Sequence, residues 1–253
     1  FLFFTCLLIC SPLDGWQQPP AENTGTGFTT RSGARSPVHG LADPRQLLAL
    51  YGIDESHLRF LIDGEPLLPE EIDVISKILM RFDDLGHDNI LRWISPSVPW
   101  EELVVEVEDH RVDFFRIEGT ARLVQRQKIV EEAAILYGFD HFFWVLLDMP
   151  GGQKVRVAPR TIPSSWPLDE PFAEPAVAQA MYLKHGLQEG DSEFFLFSAA
   201  RIEWYPAVES RSLGISEGMV ALAGMGMDVS LFDNVRSRNR RSLGVQERDC
   251  FYR

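Results

Sequence analysis

Val112-Asp-Phe-Phe-Arg-Ile-Glu-Gly-Thr-Ala-Arg-Leu-Val124 is the stretch on which the fold turns. Apolar and polar residues alternate along it, the two-residue period of a strand whose faces meet different surroundings. Gly119 interrupts the run, and glycine inside a strand pattern marks a bulge or a sharp bend. A long strand bent part-way lets a small sheet curl onto itself and lose its exposed edges. Upstream, Leu103-Val-Val-Glu-Val-Glu108 reads as a further strand. Downstream, residues 130–137 read as a two-turn helix or a loop. Strands follow at 141–147 and 155–157, joined through Met149-Pro-Gly-Gly152, a hairpin signal. Segments 176–183 and 194–204 complete the set, with polar breaks at 163–175 and 185–192. The pattern predicts an α+β chain whose main domain, residues 99–206, is a small antiparallel β-barrel, five-stranded and OB-like. A different small barrel or a sandwich fits the spacing nearly as well.

Residues 44–98 read as helical. Pro44 opens a first short helix through Leu47, Leu48 and Leu50, and Gly52 stops it. A second piece covers 55–61. The longest helix begins at Pro69, where Glu70 and Glu71 suit the positive N-terminal dipole. Its apolar residues Ile72, Ile75, Ile78, Leu79 and Phe82 recur mostly at three and four, and Gly86 ends it. A last turn at 90–94 brings Trp93 toward that stripe. Helices this short are not stable alone and must pack on something.

The ends differ in composition. Phe1-Leu-Phe-Phe-Thr-Cys-Leu-Leu-Ile-Cys10 is an apolar run, shorter than the roughly 20 residues of a membrane span and matched to a signal-peptide core. Residues 1–12 therefore read as a signal or anchor remnant, and 13–43, rich in Pro, Gly, Ser and Thr, as a disordered linker. Residues 207–253 read as an irregular tail, cut short at its C-terminal end. This organisation places the chain outside the cell or at its envelope, with membrane attachment through the N-terminus. The cysteines Cys6, Cys10 and Cys250 build no disulfide framework. A formal charge of −13 disfavours nucleic acid, whose affinity comes from Lys and Arg neutralising phosphates. The only basic cluster, Arg236-Ser-Arg-Asn-Arg-Arg241, reads as a solvated stretch.

Five motifs occur in order: Glu118-Gly119, Pro163-x-x-Trp166, Trp204-x-Pro206, Asp228-x-x-Leu-Phe-Asp233 and Arg248-Asp249-x-Phe-Tyr252. The series resembles an uncharacterised family of exported bacterial proteins of the planctomycete type, over roughly residues 100–253. The resemblance implies export and a β-rich domain, and brings no activity, cofactor or catalytic residue.

Chemical motifs are scarce. The six histidines show no His-Glu-x-x-His pattern, and no two lie four apart. Glu108-Asp109-His110 is dense in ligand atoms, but neighbours in a strand face opposite ways and the group reads as a solvated turn. Gly86-His87-Asp88-Asn89 reads as a helix stop followed by a cap. Gly190-Asp-Ser192 lacks the second glycine of a nucleophile elbow, and Gly224-Met-Gly226 does not complete a dinucleotide fingerprint. No catalytic, cofactor or metal residue is nominated. The aromatics are more informative: paired Phe-Phe in a strand sends one ring inward and one outward. Phe115, Arg116, Phe143, Trp144, Arg156, Trp166 and Tyr182 form the candidate ligand or partner surface. The expected function is a non-catalytic, exported interaction module that buries outward rings against a protein partner or a sister domain. Two alternatives stay open: an OB-like binder of oligonucleotide or oligosaccharide, and a hydrolase with an unrecognised site.

Overall fold

The computed structural model describes residues 43–96, 98–188 and 192–233. The N-terminal run, the linker, the Arg236–Arg241 cluster, the three cysteines and most of the Gly190-Asp-Ser192 loop lie outside the described residues. Among the described residues no helix is long and apolar enough to cross a membrane.

The helical segment forms as its signals dictate. Helix α1 spans Pro44–Leu50, capped by the Asp43 side chain accepting from Arg45 N at 3.1 Å, and Gly52 ends it at φ 80°. Asp54 caps α2, Glu55–Leu58. Helix α3, Pro69–Leu85, buries Val74, Ile75, Ile78, Leu79, Phe82 and Leu85. Gly86, at φ 76°, separates it from α4, His87–Trp93.

The expected strand at 103–108 is instead helical: α5 spans Trp100–Val105 and α6 Val107–His110. A short alternating apolar run fits two periods. Leu103 and Val107, four residues apart, are buried, whereas Val105 between them is 81% exposed. Pro99 before the helix and Glu101 and Glu102 in its first turn favour the helical reading.

The sheet follows. Strand β1 spans Phe114–Lys128, then helix α7, Glu131–Tyr137, then β2, His141–Asp148, and β3, Lys154–Thr161. Strands β4, Glu174–Gln188, β5, Ser192–Arg201, and β6, Glu203–Trp204, precede helix α8, Glu217–Gly224. The strand order is β1-β2-β3-β5-β4-β6 with an added β1–β4 pairing, so five strands close a ring. Closure rests on β1. Its first half, Phe114 to Ala121, pairs with β4 and its second half, Thr120 to Lys128, with β2. The change of partner falls at Gly119–Ala121, beside a register shift. A Cβ at Gly119 would lie 2.8 Å from the Asp148 carbonyl oxygen, so glycine lets the β2–β3 hairpin approach.

The sheet is mixed, not antiparallel as expected, because β3 and β5 run parallel. Strand direction alternates along the chain. Strand β4 joins β1, so β5 folds back into the gap beside β3 and shares its direction.

The two faces of the ring feed two cores. Phe115, Phe143, Val145, Val157, Tyr182 and Phe197 belong to a cluster shared by all five strands, the ring interior. Small inward residues on β4, Ala176, Ala178 and Ala180, leave space for the rings opposite. Phe114, Phe142, Trp144, Met181, Phe194 and Leu196 join a second cluster with α1, α3 and α4. The outward member of each Phe-Phe pair is thus covered by the chain's own helical segment. A buried ion pair, Lys184 Nζ to Glu71 Oε1 at 2.7 Å with both side chains 0% exposed, fastens the layers. Glu71 also accepts from Ile62 N and Leu68 N. Arg111 donates to the Leu61 and Leu183 carbonyls and pairs with Asp63. Helical segment and ring therefore share one hydrophobic core.

The tail also departs from expectation. Up to Asp233 it carries α8 and buries Ile215, Ala223, Val229 and Leu231.

Candidate functional site

The candidate surface residues do not share one exposed face. Phe115, Phe143, Trp166 and Tyr182 are buried in the interior cluster, with Tyr182 OH donating to the Leu103 carbonyl at 2.9 Å. Trp144 faces the other way, buried with the helical segment, its Nε1–H donating to Gln127 Oε1 at 3.1 Å. Arg156 is half-buried, stacked on Phe194 and Trp144, and desolvation lowers its pKa. Arg116 is exposed and paired with Glu118. The alternation of strand faces predicts outward rings, and the helical segment covers them.

The structure does bring Phe143 and Trp166 together, at a recess of about 420 Å³ at one end of the ring. Arg126 near the end of β1, Phe139 and Asp140 before β2, and Arg160 near the end of β3 contribute to its walls. Gly138, left-handed at φ 76° and ψ 17°, ends α7 and turns the chain so that Phe139 enters the wall. The Trp166 turn is held by Trp166 N donating to the Pro163 carbonyl at 3.1 Å. Asp233 accepts from both Ser164 N and Ser164 Oγ at 2.7 Å, strapping the tail to that turn.

Two guanidinium groups lie on aromatic faces here: Arg126 over Phe143 at 5.8 Å and Arg160 over Phe139 at 4.8 Å. Arg160 is also bonded to Asp83 at 3.2 Å. His141 packs edge-on to Phe143 and shares a 2.6 Å hydrogen bond with Asp140. That bond holds the Asp140 carboxyl below the usual carboxylate range. Trp166 is only 4% exposed, yet its Nε1–H meets no acceptor. Buried N–H groups normally find one, so this donor requires an explanation.

Arg160 and Thr161 also border a second cavity of about 250 Å³, between the α3–α4 junction and the outer sheet face. Glu203 lines it, its carboxyl pushed up by burial against the opposing pull of Arg201. It accepts from Gln179 Nε2 at 3.1 Å and Tyr205 OH at 2.9 Å. Arg201 pairs with Asp228, which also accepts from Trp204 N at 2.9 Å. These groups satisfy one another, and the arrangement is a clamp on the tail. Trp166 and Trp204 meet edge to face at 6.2 Å. Trp166, Trp204, Asp228 and Asp233 thus close the same end of the ring.

Sequence reasoning missed one ligand set. Glu102, Glu106 and His110 bring ligand atoms within 4.8 Å of one another and can hold a metal ion. His110 Nδ1 lies 3.2 Å from Asp113. The four-residue spacing was the available signal, hidden by reading 103–108 as a strand.

Comparison with known proteins finds no matching family model, no matching curated protein and no matching solved structure.

Proposed function

We propose that this chain is a non-catalytic binding module, exported or held at the cell envelope, built on an OB-like ring and working from the recess at the ring's end. Three features support the OB-like reading: the order β1-β2-β3-β5-β4-β1, the parallel β3–β5 pair, and a bent β1 shared between β2 and β4. Such rings bind on the face of their second and third strands and on the loop between the first and second. Here Phe142, Trp144 and Ala158 on that face lie in the core shared with the helical segment, while the β1–β2 connection supplies Phe139 and Asp140 to the recess. The observation that carries the reading is the recess itself, lined by Phe139, Phe143 and Trp166, with Arg160 over Phe139 and Arg126 over Phe143.

A small-molecule fragment screen read by indole N–H NMR tests it, with Trp166→Phe assigning the resonance. Hits should move the Trp166 signal and leave that of Trp144, already bonded to Gln127, in place. A screen in which no hit moves Trp166 removes the reading.

A second reading, docking of a protein or sister domain, is favoured by α7 and the residue before it. Val130, Ile135 and Leu136 are each more than two-thirds exposed, with Ile135 at 80%. Exposed apolar groups on an otherwise acidic chain suit an uncharged partner surface. Replacing Ile135 and Leu136 by Asp should abolish self-association in light scattering if a second copy is the partner; unchanged association rejects it.

A further inference from the structure

We propose that the open edge of β1 at Arg116 and Glu118 takes an extended peptide segment of a partner protein as an added strand, with an apolar residue between a basic and an acidic one. This edge shares no lining residue with the recess at the ring's end, and the inference does not rest on that reading.

Main-chain bonding locates the edge. Tyr182 N donates to the Asp113 carbonyl at 2.8 Å, so that carbonyl faces β4. Ser95 N donates to the Phe114 carbonyl at 2.7 Å, so the next residue faces the other way. Carried along the strand, this alternation turns the main-chain groups of Phe115 and Ile117 toward Ala180 and Ala178 on β4. Those of Arg116 and Glu118 point to the opposite edge. On that side β2 begins to pair only at Thr120, opposite Asp148. Among the described residues, the N–H and C=O groups of Arg116 and Glu118 meet no main-chain partner.

A cavity of about 380 Å³ lies along this edge. Ser95, Val98, Trp100, Arg116, Glu118 and Met149 contribute to its wall, and each is exposed or half-buried. Main-chain donors and acceptors at strand spacing are matched by another extended chain, the basis of peptide addition to a sheet edge. In a second copy β1 is set back behind the same wall, so two copies cannot bring these edges together, whereas a lone segment can enter. Such a segment continues the line that β2 leaves at Asp148, antiparallel to β1. The side chains of Arg116 and Glu118 are exposed and form an ion pair. A basic residue opposite Glu118 and an acidic one opposite Arg116 extend that pair across the strands. The residue between them lies beside Ile117, on the side of Val98 and Trp100, and is apolar.

The experiment titrates the full chain with the end-capped peptide Thr-Lys-Leu-Glu-Thr, followed by backbone amide NMR. The Arg116 and Glu118 N–H signals should shift and become protected from exchange. Methylating the peptide's Lys and Glu nitrogens, which would donate to β1, should weaken binding about tenfold, whereas methylating the Leu nitrogen, which faces away, should leave it unchanged. Glu118→Pro removes an open donor and no bond to β4, so the fold should stand and binding should fall by about the same factor. If that variant does not fold, the methylated peptides decide. The proposal is overturned if no peptide moves these amides, if the doubly methylated peptide binds as well as its parent, or if a folded Glu118→Pro chain binds normally. Equal binding of Thr-Ser-Leu-Ser-Thr overturns the charge pattern. Concentration-dependent protection of the same amides without peptide makes a second copy the occupant and overturns the partner peptide.

Discussion

At the scale of single residues, carboxyl groups set the response to pH. Burial raises Glu203, with the Asp228 charge adding and Arg201 opposing. Burial also raises Glu174, against the hydrogen bond from Trp204 Nε1. A raised carboxyl binds its proton more tightly in the folded state. The stability it confers is complete below its ordinary value of 4.5 and is lost as pH rises through the raised one. Asp148, lowered by bonds from Lys154 and Arg122, and Asp140 act oppositely. Their contribution is complete above 3.8 and is lost as pH falls through their lowered values. Urea midpoints should therefore rise on acidification from pH 7 to about 5 and fall again below about 3. Glu203→Gln should flatten the upper limb alone; an unchanged limb would show that Glu203 does not drive it. Glycine was legible at this scale. Gly119 was readable as a bend because a missing side chain inside an alternating strand has few other uses, and the Asp148 carbonyl occupies the space a Cβ would need. The acceptorless Trp166 N–H was not readable, since nothing in Pro-Ser-Ser-Trp says which neighbours it will lack.

At the scale of elements, the strong signals held. Pro69 and Gly86 bracket α3, and Met149-Pro-Gly-Gly152 lies in the β2–β3 turn, because these residues act through their own backbone geometry. The error at 103–108 arose because six residues are too few to separate a period of two from one of 3.6. The helical assignment makes a test. Leu103→Ala should cost about 2–4 kcal/mol by opening a cavity, while Val105→Asp, on the exposed side, should stay within about 0.5 kcal/mol. In a strand Leu103, Val105 and Val107 would share one face, so equal losses at Leu103 and Val105 would contradict α5. The same misreading hid Glu102, Glu106 and His110, whose proximity exists only if α5 and α6 follow one another as helical turns.

At the scale of the whole molecule, the sequence boundary near residue 98 does not divide two cores. Phe114, Phe142, Phe194 and Leu196 on the ring pack with Ile75, Ile78 and Leu79 on α3, and Lys184 meets Glu71 across the same seam. Breaking a buried pair by removing one partner costs about 3–5 kcal/mol, so the seam is strongly coupled. Unfolding in urea should accordingly be one transition, with tryptophan fluorescence and far-ultraviolet dichroism superimposed. Separate midpoints, with the helical signal lost first, would show that the segment is an independent layer.

Taken alone, the chain of residues settled what depends on local geometry and on composition: the helices between Pro44 and Trp93, the hairpin, the bent strand and the acidic net charge. It also settled that half of the paired rings must face outward, because successive side chains in a strand point to opposite sides. Only the tertiary structure decided what those outward rings meet, that β5 lies parallel to β3, and that Arg126, Phe143 and Trp166 border one recess. Those facts depend on which distant segments become neighbours, and burial against a partner many residues away leaves no periodic trace in the residues that it covers.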